Sequence, residues 1–182
     1  MLKRGLFFLI FTYVSGLAHI TSQDQQALFT PNQGQWQGDF LFKLPLKQGA
    51  VFLEDNGYTA LLYQREGQED PANHSHPHGN QKDFEALSLK MRWVNSNPSS
   101  LRVLGAELAE HYENYIVGDD PSGWYSHIPV YRELRYQQIY AGIDVRYYGL
   151  GDQLKYDIIV APGANTSEIA MRYEGQEVME LS

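Results

Sequence analysis

The stretch Leu87-Ser88-Leu89-Lys90-Met91-Arg92-Trp93 decides the fold class, because apolar and polar residues alternate along it without a break. In a strand, successive side chains point to opposite faces. One face therefore carries the apolar set, Leu87, Leu89, Met91 and Trp93, and the other carries Ser88, Lys90 and Arg92. This pattern predicts a half-buried strand with Trp93 in the core.

Upstream of this stretch the sequence predicts three further strands. The first runs through Phe40, Phe42 and Leu44 and ends at Pro45. The next two, residues 51–53 and 58–63, are separated only by Asp55-Asn56-Gly57. Asn and Gly tolerate positive φ, so this short link between apolar runs predicts a hairpin.

Downstream, alternating residues at 143–147 and 154–160 flank the link 149–152, which predicts a second hairpin. A turn at 162–165 precedes another strand through Ile169, Met171 and Tyr173. The segment Ala106–Tyr115 is the one place where a short helix is expected. Many short strands with turns between them predict an all-β, mostly antiparallel fold, a β-sandwich-like stack.

The N-terminal residues have the pattern of a cleaved signal peptide. Lys3 and Arg4 precede an apolar run over 5–14, and small residues follow at Ser15, Gly16 and Ala18. The run is shorter than the roughly 20 residues that a membrane-spanning helix needs. We expect cleavage after Ala18, with Ser22 as the second choice, so that a signal peptide within residues 1–22 is removed and the protein is secreted or displayed at the cell surface.

Residues 23–182 are long enough for one domain. The formal net charge of the whole chain is −8, which argues against binding to the phosphate backbone of a nucleic acid. The chain has no cysteine, so no disulfide stabilises the exported domain.

Residues 65–83 are predicted to form a polar loop around His74, His76 and His78. Alternating imidazoles can bind a transition metal, with Asp70 or Asp83 assisting. A structural zinc site, however, needs four well-placed ligands. Pro77 interrupts the histidine run, so a solvated loop is favoured and no metal site or cofactor is predicted.

Glycosidases use a pair of carboxylates in catalysis, so the acidic residues are candidates for such a pair. Asp119 and Asp120 lie in a Pro-Gly turn, where Asp bonds its own backbone, although calcium binding there is the alternative. Asp144 and Asp157 lie in the polar phase of their strands, where Arg146 or Lys155 can pair with them. We therefore predict no catalytic residues.

Two aromatic residues are the ligand-binding candidates. Tyr148 is out of phase with the apolar residues of its strand, and Trp124 follows the turn at Asp119. Exposed aromatic rings of this kind can stack on sugar rings, although such residues are more often partners within a sheet.

Several short motifs occur in an order that resembles a known family. They are Asn32-Gln33-Gly34-Gln35-Trp36, Asn114-Tyr115-Ile116-Val117-Gly118, Tyr140-Ala141-Gly142-Ile143-Asp144, Tyr147-Tyr148-Gly149, Leu154-Lys155-Tyr156-Asp157 and Pro162-Gly163-Ala164. The chain resembles, from about Phe29 to Gly175, an N-terminal domain of unknown function found in large secreted proteins of Bacteroidota. Those proteins often carry β-propeller repeats, PKD or immunoglobulin-like modules, or the C-terminal sorting domain of gliding-associated type IX secretion.

The resemblance implies a non-catalytic structural or interaction module at the head of a longer secreted or cell-surface protein, with further strands after Ser182. Its partners would be other domains of the same polypeptide, cell-surface proteins or glycans. The alternative is a carbohydrate-binding domain that uses exposed Tyr and Trp. A hydrolase or metal-binding protein is the third interpretation.

Overall fold

The computed structural model describes residues 26–64, 84–97, 99–175 and 178–181. Within them lie eleven strands and two single-turn 3-10 helices, and no α-helix. The strands are β1 Thr30–Pro31, β2 Phe42–Leu46, β3 Gly49–Glu54, β4 Gly57–Gln64, β5 Phe84–Trp93, β6 Arg102–Tyr115, β7 Tyr125–Tyr140, β8 Ile143–Leu150, β9 Gln153–Val160, β10 Met171–Glu174 and β11 Val178–Leu181.

The strands form two antiparallel sheets, which confirms the predicted fold class. The larger sheet has the order β1-β2-β3-β4-β5-β10, and β11 also pairs with β5. The smaller sheet has the order β6-β7-β8-β9. The two sheets pack through their apolar faces, so the polar residues of each strand are left on the outside.

The core lies between the sheets, and Trp93 is 2% exposed within it, as predicted. Met91 is fully buried beside Trp93, but burial decreases along β5, and Leu87 is 40% exposed. The alternation therefore predicted correctly which face of β5 is turned towards the core, although only the half of β5 near Trp93 is covered by the smaller sheet.

Tyrosines of the smaller sheet reach across to the larger one. The Trp93 indole N–H donates to Tyr147 Oη at 2.8 Å inside the core. The Tyr136 hydroxyl donates to the Glu54 carbonyl at 2.6 Å, and the Tyr140 hydroxyl donates to the Val94 carbonyl at 2.7 Å. Buried polar groups need such partners, so tyrosine adds apolar area to this core without leaving its hydroxyl unpaired.

Both predicted hairpins are present. Asp55 and Asn56 form the turn between β3 and β4, and the link at 151–152 joins β8 to β9. Gly57 is needed where β4 begins, because a Cβ there would lie 2.0 Å from the Met91 carbonyl oxygen of β5. The predicted end of β2 at Pro45 is one residue early, since the strand continues to Leu46.

The predicted helix at Ala106–Tyr115 is wrong, because the segment lies inside β6. Its Ala, Glu and Leu residues favour a helix in isolation, but β6 pairs with β7 over most of its length, and tertiary pairing overrides propensity. A shift of register between Leu108 and Tyr112, with Glu107 at φ 52°, interrupts the alternation that would have identified a strand.

Candidate functional site

A groove with a volume of about 760 Å³ crosses the outer face of the larger sheet. Phe40 and Phe52 form its aromatic wall, with ring centroids 4.9 Å apart and the rings edge to face. Ligand pockets usually measure about 300–1,000 Å³ and combine apolar walls with a few polar groups. The groove is thus large enough for a small ligand and has the mixed lining that such pockets show.

The register of the larger sheet brings these residues together. Lys43, Phe52, Thr59 and Lys90 are paired in turn across β2, β3, β4 and β5. They occupy the phase opposite to the buried Leu44, Val51 and Met91. The same alternation that builds the core therefore places one aromatic and two cationic side chains in a single row on the outside.

Glu54 is held in place within the groove. One carboxylate oxygen accepts from the Thr59 hydroxyl at 2.6 Å, and the other lies 3.0 Å from Lys90 Nζ. Asp39, Asp55 and Arg92 complete the charged lining. Two of the five charged side chains are therefore fixed by contacts within the sheet before any ligand arrives.

A smaller cavity of about 420 Å³ adjoins the groove and shares Leu41 and Asp55 with it. It lies beside Trp93, and Asn95 with φ 57° and Ser96 line its rim. Asn56 also lines this cavity, and its side-chain oxygen is buried without a hydrogen-bond partner in the described structure. The two cavities thus meet at Leu41 and Asp55, beside the turn between β3 and β4.

The outer face of the smaller sheet carries a charge cluster. Arg146 donates to Asp157 through Nη2 at 2.6 Å and Nε at 3.2 Å, and to Glu133 through Nη1 at 3.1 Å. The hydrogen bonds to Asp157 raise the pKa of Arg146 further above its ordinary value. Glu133 is 7% exposed, and its second oxygen lies 3.6 Å from Arg135, too far for a hydrogen bond. Arg146 therefore neutralises a nearly buried carboxylate.

A long hairpin arm, residues 108–131, extends past the end of β8, whose pairing with β7 begins only at Glu133. One side of the arm packs on the chain before β2: Thr30 donates to Glu113 at 3.0 Å, and Trp36 lies 4.8 Å from Tyr115 edge to face. Apolar side chains remain exposed along the arm and at its tip, namely Leu108 63%, Tyr112 52%, Ile116 61%, Val117 76% and Trp124 42%.

The sequence-predicted residues lie apart from one another. Tyr148 belongs to the charge cluster, where its ring centroid is 5.0 Å from the Arg146 guanidinium, and Trp124 lies at the arm tip. Neither lines the groove or the smaller cavity. The metal candidates His74, His76 and His78 lie outside the described residues.

The acidic candidates take part in structural contacts. Asp120 accepts from the Ser122 backbone N–H at 2.9 Å, as the turn prediction required, and this contact lowers the pKa of its carboxyl. Asp144 accepts from the Gln138 N–H at 2.8 Å, while Asp157 pairs with Arg146. Within the described ranges no three His, Cys, Asp or Glu side chains are grouped so as to hold a metal ion.

Sequence reasoning missed the groove. Its residues are scattered from Asp39 to Arg92, and they come together only through the pairing of β3, β4 and β5 and the position of residues 39–41 before β2. One feature of the sequence does indicate it, namely the outward-facing positions of β3 and β5. They place Phe52 and Glu54 on the same side of the sheet as Lys90 and Arg92.

The fold and its surfaces define a class of protein, a mostly antiparallel β domain with two packed sheets, an outer groove and a projecting arm. The chain belongs to the family described as a domain of unknown function (DUF7948), which matches residues 29–182. A search of curated proteins and a search of solved structures gave no match. No helix in the described part of the chain is long and apolar enough to cross a membrane.

Proposed function

We propose that this domain is a non-catalytic interaction module of an exported protein, and that it contacts a protein partner through the hairpin arm. The observation that carries the proposal is the exposure of Leu108, Tyr112, Ile116, Val117 and Trp124 on a single element. Isolated exposed apolar residues are ordinary, but several of them close together mark interaction surfaces.

The arm tip is an ordered turn. The Trp124 indole N–H donates to the Gly118 carbonyl at 3.1 Å, and Asp120 begins a 3-10 turn over Pro121–Gly123. Ile116 and Val117 are therefore displayed by a fixed backbone, so less conformational entropy is lost on binding. The exposed apolar residues of the tip, Ile116, Val117 and Trp124, supply packing area for a partner.

The partner in this proposal is another domain of the same polypeptide or a protein of the cell surface. The family resemblance supports this context, because such domains precede β-propeller or immunoglobulin-like modules in secreted Bacteroidota proteins. The same proposal includes export. A signal peptide at residues 1–22 directs secretion, and a later segment directs type IX sorting.

Site-specific photo-crosslinking in the producing cell tests the arm. A photoreactive amino acid at Val117 should give a discrete adduct, identified by mass spectrometry as a segment of the same polypeptide or an exported protein. Val160 is the matched control, because it is 41% exposed and pairs with Ile143 at the end of the smaller sheet opposite the arm. Equal labelling from both positions, or none from Val117, would show that the arm is not an interface.

Export is tested separately by sequencing the N-terminus of protein recovered outside the cytoplasm. The order of charged, apolar and small residues predicts a mature chain that begins at His19 or Gln23. Recovery of the chain with Met1 intact would contradict the proposal.

A further inference from the structure

We propose that the groove on the outer face of the larger sheet binds a neutral carbohydrate. This assignment goes beyond the protein-interaction role of the arm, because it rests on different residues. The groove adjoins an aromatic shelf on its Phe40 side, where Trp36 lies 6.0 Å from Phe40, which in turn lies 4.9 Å from Phe52. The C–H face of a sugar ring packs on aromatic rings, so a shelf of this kind provides apolar area without requiring an apolar ligand.

The charges of the groove favour an uncharged ligand. Asp39, Glu54 and Asp55 line the groove together with Lys90 and Arg92, so the lining holds three carboxylates and two cations. This near balance gives no excess of positive charge for a phosphate or sulfate, and Lys90 is already paired with Glu54 at 3.0 Å. Hydroxyl groups both donate and accept, so adjacent sugar hydroxyls can bond to carboxylate and guanidinium groups in the same site.

Several side chains in and beside the groove are already held in place by contacts within the protein. Glu54 is fixed by Thr59 and Lys90. Beside the groove, Lys43 Nζ lies 4.8 Å from the Trp36 ring centroid and 6.0 Å from that of Phe52, which anchors the shelf on the sheet. Side chains that are ordered before binding lose little entropy when the ligand arrives. An open groove on a sheet, unlike a closed pocket, accepts an internal stretch of a polysaccharide.

Affinity electrophoresis with neutral polysaccharides tests the assignment. The probes are a soluble β-glucan, a xylan and a mannan, and heparin serves as the polyanion control. The wild-type protein should be retarded by at least one neutral probe. Phe40→Ala and Arg92→Gln should each weaken that binding roughly tenfold, which corresponds to about 1.4 kcal/mol.

The matched controls are Tyr148→Ala and Arg135→Gln, which remove an aromatic ring and a cation from the outer face of the smaller sheet, away from the groove. Both should bind as the wild type does. Should Phe40→Ala unfold, Arg92→Gln decides, because its outward side chain is not part of the core. Retardation by heparin alone, no retardation by any neutral probe, or an equal loss in Tyr148→Ala would overturn the proposal. Polysaccharide binding without a Val117 adduct would contradict the arm proposal and leave this one standing.

Discussion

Replacing Tyr147 by Phe should destabilise the domain, because it leaves the Trp93 indole N–H without a partner in the core. That N–H now donates to Tyr147 Oη at 2.8 Å, and the two residues are 2% and 0% exposed, so water does not replace the lost acceptor. A buried unsatisfied donor costs about 1–3 kcal/mol. For a domain of this size, each kcal/mol lowers Tm by about 2–4 °C.

Urea titration and thermal unfolding of Tyr147→Phe measure the loss, and Tyr156→Phe is the matched control. The Tyr156 hydroxyl points to the Met171 sulfur at 3.5 Å in an exposed position, so its removal should change the free energy of unfolding by less than about 0.5 kcal/mol. If the two variants unfold at the same urea concentration, the Trp93–Tyr147 hydrogen bond does not stabilise the core, and the reasoning is refuted.

Two further predictions concern pH and the charge cluster. Burial raises the pKa of Tyr58 to about 12 and that of Tyr136 and Tyr147 well above the ordinary 10.0, so stability should be full below about pH 10 and fall as pH rises through the folded-state values. Urea titrations at about pH 8 and about pH 11, with phenolate absorbance, check this, and free titration of Tyr58, Tyr136 and Tyr147 before unfolding would contradict it. Arg146→Met should cost about 1–3 kcal/mol, because it leaves the nearly buried Glu133 without its 3.1 Å partner, whereas Arg135→Met should cost under about 1 kcal/mol. Equal losses in the two arginine variants, measured by urea titration, would show that Arg146 does not compensate Glu133.

Local patterns were enough to predict the class of fold and its tight turns. The β3–β4 and β8–β9 hairpins join neighbours in sequence, so Asn56-Gly57 and the glycines around Leu150 carry most of the information. The pairing of β5 with β10 joins residues far apart in the chain, and no local pattern in the sequence indicates it. The same holds for the choice of which strands form which sheet.

Side-chain roles were harder to predict than strands. The alternation around Asp157 predicted its pairing with a cross-strand cation, and Arg146 provides it. In β6 the hydrophobic pattern was misleading. Half of the strand lies in the arm, where Leu108 and Tyr112 are exposed, so apolar and polar residues there need not alternate as they do over a core. The groove required a register across three strands, β3, β4 and β5, which hydrophobic periodicity does not supply.

The pairing of β5 also determines when the larger sheet can form as the chain emerges. Met91 pairs with Tyr58 on one side and with Tyr173 on the other. When the chain emerges N-terminus first, from a ribosome or through a translocation channel, β4 and β5 appear early. One edge of β5 then has no partner until residues 171–181 have followed. Contacts between residues so distant in sequence form slowly. The larger sheet is therefore completed only after residues 171–181 have emerged.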